Sequence, residues 1–515
     1  MSEWDTGYVG EIAYTFGYCD ELNPVRLRLP LLRAGLAVPD VRVACELGFG
    51  HGVSVNAHAA GSASQWYGTD FNPSHASFAQ QLADCSGSHA QLSGESFSAF
   101  CQRDDLPDFD FIGLHGTWSW ISEENRALIA DFIRRKLKAG GVVYVSYNAQ
   151  PGCATMLPVR ELMHAHFRSS AMSESHDGIT PEERLQTRIR AAVEFAQTVF
   201  ATQPGYALVN PLLAERVDGM SGESLNYLAH EYFNRDWQPM FFSQVASSLG
   251  AAGLTYGGSA DYRDHIDEVN LTSSQRELVA SIADTCLRET ARDLCVNRSF
   301  RRDYWVKEPR TLSHEEQQAA LRAHRVILAL PSASVVLKVR GALGETSLAE
   351  GLYDPILDVL SSHRAMTLRE IEESVRDRSI ALTQIVTAVT LLISMGVLLN
   401  AQEEARIADA RPSADRLNAA ICERAIEGAD IQFLVSPVSS SGILMPRIPQ
   451  LFLLAKMRGM QRPDQWAGFA ETTVRMEPRP MGSPTDSATV AGELAAKAER
   501  FAKVHLPILE ALGIG

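Results

Sequence analysis

No stretch of this 515-residue chain is apolar for the roughly eighteen uninterrupted residues that a membrane-spanning helix requires, which excludes membrane insertion by that route. The opening Met1-Ser2-Glu3-Trp4-Asp5 also lacks the basic start and apolar run of a secretory leader, so a cytoplasmic location is expected. Paired cysteines are missing. The eight thiols (Cys19, Cys45, Cys85, Cys101, Cys153, Cys286, Cys295 and Cys422) are scattered and form no CxxC, which reads as reduced, mostly buried side chains rather than a zinc or disulfide framework. His164 and His166 stand two apart and would diverge on a helix, so no metal site is assigned. Positive charge is scarce: 47 Lys and Arg against 62 Asp and Glu leave a net charge of −15. That balance argues against broad contact with phosphate backbones and favours a neutral or cationic substrate.

What is present is globular: 45% hydrophobic and 21% charged residues, in a chain long enough for two or three domains. From Val41 to Asn148 short apolar strands alternate with helical stretches, the rhythm of a parallel α/β sheet. Strands are expected at Val41 to Leu47, Gln65 to Asp70, Ala90 to Leu92, Phe109 to Leu114 and Val142 to Tyr147. Helices are expected at Val53 to Ala60, Pro73 to Asp84, Phe97 to Arg103 and Glu123 to Lys138. After Pro151-Gly152 the pattern turns helical (Met156 to Phe167, Pro181 to Thr202). A helix at Pro239 to Gly253 and strands at Leu254 to Tyr256 and Arg302 to Val306 then resume it. The expected organisation is an α/β domain from residues 1–151 and 236–307, a helical insertion at 152–235, a winged-helix-like unit at 313–402, and a C-terminal region at 403–515.

In the third region Thr367-Leu368-Arg369-Glu370 opens a capped helix, and a second apolar helix spans Ala381 to Leu398 before a short strand. The second helix begins without basic residues at Leu382 to Val386, so packing rather than DNA binding is expected of it. Segment Ser313 to Gln318 reads as a transition, and Arg475 to Thr489 as a loop before a final helix from Val490 to Phe501.

The first strand runs into Glu46-Leu47-Gly48-Phe49-Gly50-His51-Gly52-Val53. Gly48 and Gly50 permit a sharp turn and close approach to a ligand, and Gly52 permits close helix packing. Asp70, about twenty residues on at the next strand end, can accept both hydroxyls of a ribose. Glu95, after the third strand, can meet an adenine edge, and Phe71 can line its face. Glu46 would repel a pyrophosphate but can pair with the ammonium of an amino acid, which tilts away from nicotinamide cofactors. The order Glu-x-Gly-x-Gly-x-Gly, then Asp70, then Glu95 resembles the class I S-adenosylmethionine-dependent methyltransferases.

Further stretches narrow the resemblance to bacterial-type methyltransferases that carry a methyltransferase regulatory domain: Tyr14 to Pro24 with Arg26-Leu27, Phe111 to Ile121, Gly141 to Gly152, Tyr227 to Asn234, and Asn297 to Arg301. That group includes rickettsial lysine methyltransferases of outer-membrane proteins, similar in length and with extra middle and C-terminal domains. The resemblance implies a doubly wound Rossmann-like domain, S-adenosyl-L-methionine as cofactor, a lysine acceptor and a homodimer. It adds Tyr18 and His115 to the cofactor-binding set of Glu46, Gly48, Phe49, Gly50, Gly52, Asp70, Phe71 and Glu95. Family turns often read Glu-Leu-Gly-Cys-Gly-x-Gly, whereas Phe49 and His51 occupy the loop here.

Methyl transfer is an in-line displacement that requires alignment and exclusion of water, and no metal. The carboxyl ends of the fourth and fifth strands place His115, Trp118, Trp120, Tyr147 and Asn148 near the methyl group. Trp118, Trp120 and Tyr147 are expected to form an aromatic pocket for a lysine amine. His115 would instead be the general base for a hydroxyl acceptor. The stretch after the fourth strand is not Asp/Asn-Pro-Pro-Tyr/Phe, which argues against methylation of nucleic-acid bases. His230 and Glu231, in an apolar context, read as packing residues. Two other functions remain open on the residues alone: a small-molecule or saccharide methyltransferase, and a non-catalytic regulator that binds S-adenosylmethionine.

Overall fold

The structure, a computed structural model, describes residues 16–170, 180–475 and 487–515. The opening pentapeptide, Tyr14 and most of the expected loop after Arg475 lie outside the described residues.

Seven strands of the described chain make one sheet in the order β3-β2-β1-β4-β5-β7-β6. They are β1 (Val43–Leu47), β2 (Gln65–Thr69), β3 (Gln91–Ser93), β4 (Phe109–Leu114), β5 (Leu137–Asn148), β6 (Leu254–Ser259) and β7 (Phe300–Lys307). The first five are parallel, and β7 runs antiparallel between β5 and β6. The winding reverses between β1 and β4, which opens a crevice at the carboxyl ends of the strands. Helices Val53–Gly61, Pro73–Ser86 and Glu123–Lys136 connect the parallel strands as the periodicity predicts. β5 starts five residues earlier than expected, and its irregular pairing with β4 falls at Phe109 and Phe111. The helix after the insertion starts at Phe242, not Pro239.

Strand alternation assigns the two faces. Val142 and Tyr144 of β5 and Tyr304 of β7 pack with Leu22, Ala44, Trp66 and Phe111 on one face. Val143, Val145, Tyr147 and Trp305 pack with Cys45, Ile112 and Phe132 on the other. Arg302 and Arg301 are consecutive and so part company: Arg302 is opposite Ser146 and Arg301 is opposite Tyr147. Arg301, buried, is held by Asp303, Asp293 and Glu289 at 2.9, 2.7 and 3.1 Å.

The insertion, led by helices Met156–Ser170, Pro181–Ala201 and Leu225–Tyr232, buries a core of its own around Met163, Ile189, Val193, Leu228 and Phe233. His164 Nε2 lies 2.8 Å from the carbonyl of Tyr232, and His166 stacks on Phe195. His230 and Glu231 belong to this insertion; His230 is buried, and burial pushes the Glu231 carboxyl up to about 7.

Beyond β7, the stretch read as a transition is a helix, His314–Ala323, started by a reciprocal capping pair of Ser313 and Glu316. A three-stranded antiparallel sheet follows, with β8 (Arg325–Leu328) between β11 (Met366–Thr367) and β12 (Leu398–Ala401); a separate hairpin, β9 (Lys338–Gly341) and β10 (Gly344–Ser347), lies between β8 and β11 in the chain. Helix Leu368–Ser374 is capped by Thr367 with Glu370. Helix Leu382–Ser394, shorter than expected because Gly396 turns left-handed at φ 69°, buries nine of its side chains. Its exposed residues, Thr383 and Gln384, carry no charge for a phosphate backbone.

Every residue of helix Val53–Gly61 is buried, because the C-terminal region covers the side turned away from the sheet. Val53, Ala57, Ala60 and Leu82 share a core with Ile407, Leu417, Leu434 and Leu451. The final helix runs Ser487–Arg500. Among the described residues no helix is long and apolar enough to cross a membrane. All eight cysteines are free; Cys85 is exposed, and Cys286 and Cys295 are half-buried.

Candidate active site

The glycine turn after β1 adopts the backbone its residues allow. Gly48, Gly50 and Gly52 all have positive φ, at 78°, 57° and 71°. A Cβ on Gly48 would stand 2.7 Å from Thr117 Oγ1, and one on Gly52 2.4 Å from the Cβ of Ala79. Gly52 therefore packs the helix start against its neighbour. The other two shape a cavity of about 820 Å³, a size suited to a nucleoside-type ligand.

Glu46, Asp70 and Phe71 line this cavity with Tyr18, Gly48, Phe49, Gly50, His115 and Trp120. Glu46 is 3% exposed, and its Oε2 is buried without a hydrogen-bond partner. Burial, and then the nearby Asp70, push its carboxyl up to about 8. Asp70 is nearly enclosed as well. Its Oδ2 accepts from the amide of Gly50 at 2.9 Å, its Oδ1 accepts from the amide of Asn72 at 3.0 Å, and His75 Nδ1 lies 3.5 Å from Oδ1. Tyr18 donates to Asp20 at 3.0 Å, and its ring lies tilted 5.0 Å from that of Phe433, in a hairpin of the C-terminal region (Phe433–Ser436 with Ser441–Leu444), so that region helps to fix a cavity wall.

Five of the expected site residues are placed elsewhere: Gly52, which packs against Ala79 instead of lining the cavity, and four more. Glu95 is outside the cavity lining: Ser93 and Arg103 donate to its Oε2 at 2.8 and 3.0 Å, so its carboxylate is consumed locally. Trp118 is fully buried in the core beneath β4 and β5. Tyr147 is fully buried on the face opposite the cavity and donates to Asp303 at 2.9 Å. Asn148 accepts from Trp237 Nε1 at 3.2 Å and so stands behind the wall. The expected three-ring pocket reduces to Trp120, backed by Trp237 with ring centroids 5.9 Å apart. Glu124, Asn125, Arg235 and Asp236 complete that end of the cavity.

His115 sits in a cluster that the sequence did not announce. Its Nδ1 is 2.9 Å from Cys19 Sγ, 2.9 Å from the Tyr144 hydroxyl and 3.3 Å from Ser146 Oγ. Cys19 donates to Glu21 at 3.2 Å, and Arg302 pairs with Glu21 at 3.2 Å. Burial, reinforced by Arg302, drives the imidazole down to about 4 despite the opposing Glu21. Burial, and then Glu21, raise the Cys19 thiol well above its ordinary range. Burial opposes ionisation of Glu21, but Arg26 and then Arg302 outweigh it and hold its carboxyl low. Strand alternation was the available signal for Tyr144 and Ser146, since they share a face that Tyr147 cannot. Nothing local marked Arg235 or Asp236, which reach the cavity only because the insertion folds back over it.

A seven-stranded sheet in this order, with a glycine turn after β1 and carboxylates at the ends of β1 and β2, defines the class I methyltransferase fold. PKMT2 from Rickettsia typhi shares it: its structure in complex with AdoHcy superposes with a TM-score of 0.67 over 95% of this chain and 98% of that one, at 18% identity. The family model described as "predicted methyltransferase regulatory domain" matches residues 224–307. The uncharacterized protein sll1526 of Synechocystis is 34% identical over 99% of both chains. The chain belongs to the same family as that cyanobacterial protein, and its regulatory domain runs from the last helix of the insertion to the end of β7. A second uncharacterized protein, RP789 of Rickettsia prowazekii, is 25% identical over 39% of this chain and 35% of its own length.

Proposed function

We propose that this protein is an S-adenosyl-L-methionine-dependent methyltransferase that N-methylates lysine side chains of protein substrates. The observation that carries the reading is the buried, unpartnered Oε2 of Glu46 beside Gly48, with Asp70 across the same cavity. A carboxyl left without a donor suits a ligand ammonium, and a second suits a ribose diol. The likeness to PKMT2, whose structure holds AdoHcy, points the same way.

Glu46 would hold the amino acid end of the cofactor and Asp70 the ribose, while Gly48 and Gly50 let the backbone come close. Tyr18, Phe49 and Phe71 would line the remainder. The bound cofactor supplies an electrophilic methyl group on a sulfonium. The protein aligns the acceptor and excludes water.

The carboxylate of Glu124 at the Trp120 end would draw in a lysine ammonium, while Asp236 beside it is paired with Arg235 at 2.8 Å. Partial desolvation against Trp120 lowers the amine's pKa and favours loss of its proton. A hydroxyl acceptor would need a base, and an imidazole held down near 4 is a poor one. This favours an amine over a saccharide hydroxyl. A cytoplasmic site of action and a homodimer complete the proposal, and nucleic acid is not proposed as an acceptor.

Incubation with methyl-labelled S-adenosylmethionine and cell lysate tests it. Label on lysine residues of protein is expected; label confined to small molecules or glycans, or none at all, defeats the lysine reading.

A further inference from the structure

We propose that His115 acts as a hydrogen-bond donor through its Nε2–H to an oxygen atom of the methyl acceptor, with Tyr144 and Ser146 as the positioning residues that select this tautomer. The substrate part of the inference rests on the methyltransferase reading; the tautomer does not.

The protons around Nδ1 fix the tautomer. Three groups, each with one hydrogen, surround Nδ1: the Cys19 thiol, the Tyr144 hydroxyl and the Ser146 hydroxyl. The thiol hydrogen has a stronger acceptor in Glu21 Oε2 at 3.2 Å. Ser146 Oγ already accepts from the amide of Gly116 at 2.7 Å, and its own hydrogen finds its acceptor in Nδ1 at 3.3 Å. Tyr144 shares Nδ1 at 2.9 Å or turns to Cys19 Sγ at 3.8 Å, and every hydrogen in the cluster has an acceptor.

The other tautomer leaves one hydrogen without an acceptor. With a hydrogen on Nδ1, Tyr144 can still turn to Cys19 Sγ at 3.8 Å, but the Ser146 hydrogen loses its acceptor at 3.3 Å. Ser146 is fully buried, and a buried hydroxyl left without an acceptor is disfavoured. Nδ1 is therefore the acceptor and Nε2 carries the proton.

No described residue bonds to Nε2, and the ring lines the cavity. An N–H so placed presents a donor where a general base would present a lone pair. Oxygen atoms on the acceptor molecule, such as a peptide carbonyl beside the reacting amine, fit it. The neighbouring Phe300 ring, 6.2 Å from the imidazole and edge-on to it, restricts the ring's tilt.

Nitrogen-15 spectra of the full chain labelled at histidine read the tautomer directly. His115 is expected as Nε2–H from pH 6 to 8, and Y144F combined with S146A is expected to shift population toward Nδ1–H. Finding Nδ1–H in the unsubstituted protein, or an unchanged tautomer in the doubly substituted one, overturns the proposal. Methyl transfer from labelled S-adenosylmethionine to lysate protein supplies the second readout. H115Q, which keeps an N–H donor, should lose about tenfold in rate and retain the shape of the pH profile. Loss of about 100-fold or more together with the acid limb of the profile would mark a base and overturn the donor role. Absence of transfer in every case, including the unsubstituted protein, defeats the methyltransferase reading, while the nitrogen spectra still decide the tautomer.

Discussion

The amide of Gly50 donates to Oδ2 of Asp70 at 2.9 Å, so the carboxylate at the end of β2 also holds the glycine turn that follows β1. One side chain thus shapes the cavity and offers oxygen atoms to it. Replacing Asp70 by Asn halves its capacity as an acceptor and removes the charge. D70N is expected to weaken S-adenosylmethionine binding by about 10- to 100-fold, the range for a hydrogen bond to a charged group, as measured by calorimetry.

Glu46 makes binding depend on pH. Its carboxyl stands at about 8 in the folded chain against an ordinary 4.5, so the folded state holds a proton that the unfolded chain releases. Its contribution to stability is present below pH 4.5 and is lost as pH rises through about 8. A ligand ammonium requires the carboxylate instead. Cofactor affinity should therefore rise toward pH 8 and level off above it, with proton release on binding at lower pH. Calorimetry in buffers of different ionisation heat would detect that release, and E46Q should abolish it.

Gly52 joins a left-handed backbone to a contact with Ala79 that leaves no room for a methyl group. G52A is expected to destabilise the fold by about 2 kcal/mol or more, from the left-handed penalty together with overpacking. Denaturant unfolding measures it.

Arg301 pairs with Asp303, Asp293 and Glu289 in a site 5% exposed; Arg298 and Arg292 also face Asp293 and Glu289 at 3.7 Å. R301M leaves the buried Asp303 without its counter-ion. A loss of about 3–5 kcal/mol is expected, seen as a lower denaturant midpoint.

The two tryptophans after β4 should separate cleanly. W118A opens a cavity in the core and should cost about 3–5 kcal/mol of stability. W120A removes a wall of the cavity and should raise the KM for the acceptor while leaving the unfolding midpoint nearly unchanged. Equal loss of stability in both would contradict this division.

Sequence reasoning reached the parallel strands, their connecting helices and the glycine turn because those features are local. A strand that meets a helix through Gly48, Gly50 and Gly52 announces its own geometry. The same reasoning misplaced Tyr147 by reading proximity along the chain as proximity in space, although alternation already put Tyr144 and Ser146 together on the other face. Glu95 lay at a suitable strand end, but Arg103, eight residues on, takes its charge.

Glu46 at the mouth of the turn and Asp70 about twenty residues later were specified by the order of residues alone, because strand length and a tight turn leave few places for either carboxylate. Which groups surround His115 was decided only by folding. Cys19 comes from 96 positions before it and Tyr144 from 29 after. Contacts across such separations depend on sheet order and on the C-terminal region packing against helix Val53–Gly61, and neither is written in any short stretch of chain.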